Sequence, residues 1–470
     1  WLKQRTAHGP LWPPALALCM ESAAAPAAAA EEVGGQGPGP GLEASLLAEQ
    51  RLVWRTNAPH LYDIFIHCEL EWPSLSVAWL ADEPDEPCRL AIATHTDGSA
   101  GNELLVCELR ATPQVRFDGK DLWSTWEDPG RAILEGEYFG VQAPSGQAPV
   151  HTLARLPHPT EVNRVAPCPH RSQLIATKAA TGEVFLFDYK AEMAEGDVRR
   201  PEVALVAPGG QAADGFALAW SPLQRHLIAS GGNDGRLCVW DVEVNPAANV
   251  AGKPPLHDTV GAHQGPLCDL SFSRSESSSF VLATVGDDRM LRLWDARAGS
   301  SKAQLELQVS EDDVLCVDWD YHRERVLASA GKDQQVHIWD LRAPKPLLQS
   351  LKGHRGDVVT VRWAPFREGL LASASMDSRL HLWDLAPCTS AEASQADGDG
   401  ADQELLFAHG GHTRGLSDFA WSSLDEWLVA SVAEDNSLQI WQLATDFYLS
   451  EESGGEGEPD SPAAKRARTD

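Results

Sequence analysis

Five segments of this chain end alike: LIASGGNDGRLCVWD at Asp241, LATVGDDRMLRLWD at Asp295, LASAGKDQQVHIWD at Asp340, LASASMDSRLHLWD at Asp384 and LVASVAEDNSLQIWQ at Gln442. Their tryptophans, Trp240, Trp294, Trp339, Trp383 and Trp441, stand 54, 45, 44 and 58 residues apart, the length of a four-stranded propeller blade with insertions. A sixth copy, LIATKAATGEVFLFD, ends at Phe187 and Asp188, and a more degenerate seventh, LAIATHTDGSAGNELLVCEL, ends near Leu109. Each copy pairs one alternating strand, such as VVTVRWAP, with a turn and a second alternating strand, as strands packed between neighbouring blades require. Seven copies must close into a ring to bury the faces of the terminal blades, and YDIFIHCEL is free to complete the last one. The sequence therefore predicts an all-β, seven-bladed WD-repeat β-propeller over 60–449.

Ahead of the ring, LEASLLAEQRLVW places Leu42, Leu46, Leu47 and Trp54 at near-helical spacing among Glu43, Glu49 and Arg51, with Pro59 after the expected end. One amphipathic helix is expected within 42–59, docked on the last blade. Residues 1–41 are too rich in Ala, Gly and Pro to offset their ordering entropy and are expected to be a disordered leader. Within it, 1–19 precedes Met20 and is set apart as an upstream translation or fragment artefact. Residues 450–470 form an acidic tail ending in Lys465, Arg466 and Arg468, which reads either as a short nuclear-import signal or as a solvated tail.

A formal charge of −30 disfavours nucleic acid and anionic membrane as direct partners and favours a basic protein. The nine cysteines are scattered with no CxxC pair, which indicates neither a zinc site nor a disulfide framework. No apolar run reaches the eighteen or so residues of a membrane helix. His354, Ser373, Asp377 and Trp383 resemble a serine-hydrolase set, but the same offsets recur in His263, Thr284, Asp288 and Trp294 and in His412, Ser431, Asp435 and Trp441. A catalytic site is needed once, whereas a buried network joining strands and turns is needed in each blade, so these residues are read as structural. Gln211 and Ser310 stand where blades 3 and 5 would carry the histidine, and shorter or water-filled networks are expected there. The glycine pairs lack a phosphate-loop setting and read as turns. His409 and His412 lack a third ligand at metal spacing. No metal, cofactor or enzymatic activity is expected.

At NAPHLYDIFIHCELEWPSLSVAWL, and again at ELLFAHGGHTRGLSDFAW, the chain closely resembles the histone-binding WD-repeat family of the retinoblastoma-binding proteins. The EWPSL element (Glu71 to Leu75) and the HGGHT...SDF element (His409 to Phe419) are far more specific than any Trp-Asp dipeptide. IATHT (Ile92 to Thr96), TEVNR (Thr160 to Arg164) and AEDN (Ala433 to Asn436) add to a match running from about Leu42 to Leu449.

The resemblance implies a non-catalytic nuclear histone escort, monomeric by itself, shared among chromatin assembly factor, Polycomb repressive, nucleosome-remodelling and deacetylase complexes. It implies two binding surfaces. One is a side groove for the first helix of histone H4, between the N-terminal helix with Leu47 and Leu61 and an acidic insertion in which Asp397, Asp399, Asp402 and Glu404 face basic residues while Leu405, Leu406 and Phe407 supply an apolar wall. The insertion lacks the family's double proline, and His60 replaces an aromatic. The other is the top face, which takes the histone H3 tail or a similar basic peptide. Its matching positions are His95, Glu161, Asn163, Arg164 and Glu434, with Asp214, Phe216 and Asp357 as conservative replacements. Carboxylates around a narrow mouth suit an arginine fork. Cys268, Leu315 and Val359 stand where the family has glutamate, asparagine and an aromatic, so altered tail recognition is expected from blades 4 to 6. A second reading, a substrate receptor of a cullin-type ubiquitin ligase, rests on WDAR (Trp294 to Arg297) and WDLR (Trp339 to Arg342). A ribosome-assembly WD protein of the glutamate-rich type would share the N-terminal element but not HGGHT...SDF.

Overall fold

The computed structural model describes residues 53–80, 87–96, 98, 100–110, 112–113, 141–142, 148–191, 201–207, 213–242, 255–297, 302–342, 347–385, 404–423 and 425–447. They form seven four-stranded antiparallel sheets, and a two-stranded pair joins Thr112–Pro113 to Val141–Gln142. Blades 1 to 6 are each continuous in sequence, with inner strands Val77–Trp79, Val162–Pro167, Leu218–Trp220, Leu267–Phe272, Val314–Trp319 and Val358–Trp363. Blade 7 takes its inner three strands from Leu416–Trp421, Leu428–Ala433 and Ser437–Leu443 and its outer strand from Tyr62–Glu69, in a register running from Tyr62 opposite Leu443 to Glu69 opposite Ser437. The ring therefore closes as the repeats predict, through backbone hydrogen bonds between residues more than 350 apart in sequence.

The second strands are apolar on both faces because each is covered by a blade on either side: LIATKA, VLASAG, LLASAS and LVASVA are buried throughout. Small alanines and serines alternate with leucine and valine there, which lets neighbouring blades approach closely.

In blade 6 the Ser373 hydroxyl lies 2.7 Å from His354 Nε2 and accepts from Trp383 Nε1 at 2.8 Å, while His354 Nδ1 faces Asp377 Oδ2 at 3.0 Å. Blade 4 repeats this through Thr284, with His263 Nε2 at 2.8 Å, Trp294 Nε1 at 2.9 Å and the His263–Asp288 contact at 2.8 Å. In blade 7, His412 reaches Ser431 and Ser437 at 2.8 and 2.9 Å, with Asp435 at 3.5 Å, and Trp441 Nε1 donates to Ser431 at 3.4 Å. Each hydroxyl bridges two strands and is fully buried, so the repeated sets are blade linkers. Blade 5 corrects the expectation of a shortened network. Ser310 Oγ donates to Asp333 Oδ2 at 2.8 Å, and His337 Nε2, from the third strand, meets the same carboxylate at 2.7 Å. A histidine from a different strand thus restores the link. Gln211 lies outside the described residues.

The helix occupies 53–61 as far as it is described. It runs past Pro59, against the expectation that it stops there, because Ala58 and Leu61 are buried against blades 6 and 7 and hold the last turn in place.

Candidate peptide-binding surfaces

The helix is fixed to blade 7 by a directional chain of hydrogen bonds. Trp54 Nε1 donates to the Tyr62 hydroxyl at 3.1 Å, and that hydroxyl lies 2.7 Å from His409 Nδ1. His409 Nε2 lies 3.0 Å from Gln439 Oε1. Since the Gln439 oxygen only accepts, His409 carries its proton on Nε2, and Tyr62 must donate to Nδ1. The imidazole stacks on Trp441 with centroids 4.5 Å apart and rings within 6° of parallel. Burial, reinforced by His412, holds the His409 pKa well below its usual value, so the ring is neutral. The HGGH motif is explained here: a Cβ on Gly411 would collide with the Gln439 carboxamide and the His409 ring. All four ring nitrogens of His409 and His412 are engaged within the protein.

Of the side-groove residues expected from sequence, Leu61 and Phe407 are buried, Phe407 lying 5.6 Å from the Tyr62 ring and 5.9 Å from that of Phe447. They form the floor under the helix. Leu405 and Leu406 remain half-buried. The Glu404 carboxylate accepts from Gln349 Nε2 at 2.6 Å. Leu47, Asp397, Asp399 and Asp402 lie outside the described residues.

At the top face, the loops entering each inner strand meet those joining second and third strands. Five inner strands slip register at their second residue: Asn163, Cys268, Leu315, Val359 and Ser417. A bulge re-aims the side chain and ends pairing, and these bulges ring the mouth of the channel. Cys268, Leu315 and Val359 are three of the five, so the positions that depart from the family pattern share one structural role. Cys268 Sγ donates to Asp287 Oδ1 at 3.0 Å, and burial together with Asp287 raises its thiol pKa far above the usual value.

On the other side of the mouth, His95 Nε2 lies 3.5 Å from Glu161 Oε2, and both side chains are about one-third exposed. Asn163 Nδ2 donates to Asp214 Oδ1 at 2.6 Å and to the Gly215 carbonyl at 3.1 Å. Phe216 is 46% exposed, Glu434 is exposed and Asp357 is half-buried. Arg164 is directed into the channel instead, where its guanidinium lies 3.1 Å from Asp269 and 3.4 Å from Asp418.

That inward charge cluster is the feature the residue pattern did not disclose. Arg362 lies 3.0 Å from Asp418. Burial pushes the Asp418 carboxyl up, but Arg362 and Arg164 outweigh it and hold it below the usual range, whereas burial prevails at Asp269 and raises it. The carboxylates also join blades: Asp418 accepts from the Val77 amide at 3.2 Å, Asp269 from Val317 at 3.1 Å and Asp318 from Trp363 at 2.9 Å. The available signal was a charged residue inside each otherwise apolar inner strand, as in LCDLSF, VLCVDW and LSDFAW.

A relative named as a probable histone-binding protein, rba-1 of Caenorhabditis elegans, is 36% identical over 414 residues, covering 86% of this chain and 96% of that protein. The chain belongs to the histone-binding WD-repeat family of the retinoblastoma-binding proteins. A family model described as histone-binding protein RBBP4, or the equivalent component of the CAF1 complex, matches 49–112, which contains the helix and the closing strand. WD-repeat models match 215–241 and 403–442, and a model described as the EIPR1 beta-propeller matches 269–383. The cullin-ligase reading gains no support from these matches. In the structure, Arg297 and Arg342 each grip the aspartate two residues earlier, Asp295 and Asp340, at 2.7 Å.

Proposed function

We propose that this chain is a non-catalytic histone-binding adaptor that works in the nucleus within chromatin assembly, remodelling, deacetylase or Polycomb-type complexes. The observation that carries the reading is near full-length identity with a relative named as histone-binding, together with the match at 49–112. The helix of histone H4 is taken beside 53–61, whose floor of Leu61 and Phe407 is preset by the Trp54–Tyr62–His409 chain. The rim is Asp397, Asp399 and Asp402, and Glu404 orders its base through Gln349. An H3 tail or similar basic peptide is taken on the top face by Glu161, Asp214, Asp357 and Glu434, with Arg164 acting as the counter-charge that keeps the channel carboxylates from repelling one another. The apolar bulges Leu315 and Val359 alter what that mouth accepts.

The test is titration of H4 first-helix and H3 tail peptides into the full chain at fixed salt, comparing the native protein with Asp397, Asp399 and Asp402 all changed to alanine. H4 binding is expected to weaken about tenfold or more with H3 binding unchanged. Absence of binding by both peptides to the folded native protein sinks the adaptor reading.

A further inference from the structure

The seam between blades 7 and 1 is not closed along its whole length. A cleft of about 610 Å³ opens there, within the size range of a ligand site. Its walls are the two blade faces: Leu105 and Val150 from blade 1, Leu438 and Cys68 from blade 7. Leu105, Val150 and Cys68 are only partly covered, although they belong to the apolar cluster between these blades. An apolar wall left open at a blade seam is surface that a partner's side chain can cover.

The rim carries the chemistry that selects an occupant. Glu69 and Glu71 line the cleft and are exposed, and neither has a cation partner among the described residues. Glu103 is already paired, with Arg155 at 2.8 Å. Trp72, half-buried beside the two glutamates, adds an aromatic wall that favours a cation. The chain as a whole carries a formal −30, which raises the local concentration of basic segments.

We infer that the cleft between blades 7 and 1 is a further peptide-docking site, which takes an apolar side chain between Leu105, Val150 and Leu438 and holds the lysine or arginine beside it against Glu69, Glu71 and Trp72. It is separate from the flank beside 53–61 and from the channel mouth. The inference stands apart from histone binding, because any basic segment with an apolar anchor meets its requirements.

The probe is the capped peptide Gly-Ala-Arg-Leu-Lys-Ala-Gly, added to the full chain with labelled leucine and valine methyl groups. Saturable shifts are expected at Leu105, Val150 and Leu438. The Glu69→Gln, Glu71→Gln double variant, both changes being on exposed side chains, is expected to bind about five- to tenfold more weakly. Raising salt should weaken the native complex in the same direction. Shifts confined to Leu315 and Val359 would place the peptide on the channel mouth and overturn the inference, as would an unchanged affinity in the double variant. Binding that emerges only after residues 114–140 are removed would show that the cleft serves this chain's own insertion, and would also overturn it.

Discussion

Changing Tyr62 to phenylalanine removes one oxygen from the node that ties the N-terminal helix to blade 7. The ring itself stays buried among Trp54, Phe65, Phe407 and Trp441, so the packing is retained and the loss is confined to hydrogen bonds. Two groups are left unmet: Trp54 Nε1–H and His409 Nδ1, formerly 3.1 and 2.7 Å from the hydroxyl. Trp54 is 7% exposed and His409 is fully buried, so water does not replace the lost partner. A buried polar group left unsatisfied costs roughly 1–3 kcal/mol, giving about 3 kcal/mol for the pair. With an unfolding entropy of about 2.1 cal/mol/K per residue, that is a fall of roughly 4 °C in the melting temperature of a propeller of this size. Thermal melts measure it directly. A second arm uses His409→Phe, which keeps the stack on Trp441 but removes the acceptor. If the chain of hydrogen bonds is one unit, the double variant should cost less than the sum of the singles by about 1–2 kcal/mol. Because the helix forms one wall of the proposed H4 groove, H4 peptide affinity should fall with the melting temperature. A Tyr62→Phe protein melting within about 1 °C of the native one, with unchanged H4 affinity, refutes the reasoning.

The buried histidines give the protein a defined acid sensitivity. Burial holds His158 at about 4 against an ordinary 6.5, and His381 and His409 well below that ordinary value. The unfolded chain therefore binds protons that the folded chain refuses, and stability present above about pH 6.5 is lost as pH falls below it. His158 alone accounts for about 3 kcal/mol by pH 4, taking about 1.36 kcal/mol for each tenfold change in proton affinity. A melting temperature that stays flat between pH 7 and pH 4.5 would contradict this. Ser373→Ala removes the hydroxyl shared by His354 and Trp383 and is expected to cost about 2–3 kcal/mol in denaturant titration. The native and variant proteins should be equally inert toward p-nitrophenyl acetate beyond background. Ester turnover that disappears with Ser373 would restore the hydrolase reading that the repeats reject.

Much of the fold was legible in the chain because it is a repeat. A blade cannot bury both of its faces alone, so seven copies of a strand-turn-strand pattern ending in tryptophan or phenylalanine have few solutions besides a closed ring. YDIFIHCEL was identifiable as the closing strand because it alternates correctly and lacks a partner of its own. The recurrence of His, Ser or Thr, Asp and Trp at fixed offsets was likewise enough to separate blade linkers from a catalytic set. The family followed from EWPSL and HGGHT...SDF, and the comparisons bear it out.

The contact surfaces were legible in residue type but not in placement. Arg164 reads from sequence as one polar residue in TEVNR; only closing the ring brings blades 4 and 7 to within 3.1 and 3.4 Å of its guanidinium. Phe407 reads as a groove wall, yet the outer strand of blade 6 turns it into the core beside Tyr62. The histidine of blade 5's network, His337, comes from a strand that no offset rule would consult. Sequence alone determined the periodicities, and hence the blade count, the closure and the sign of the charge, because these depend on local spacing and composition. Tertiary structure alone decided which polar side chains meet, where the register slips around the channel mouth and which apolar wall stays uncovered between blades 7 and 1, because those depend on distances between residues that the chain separates by tens to hundreds of positions.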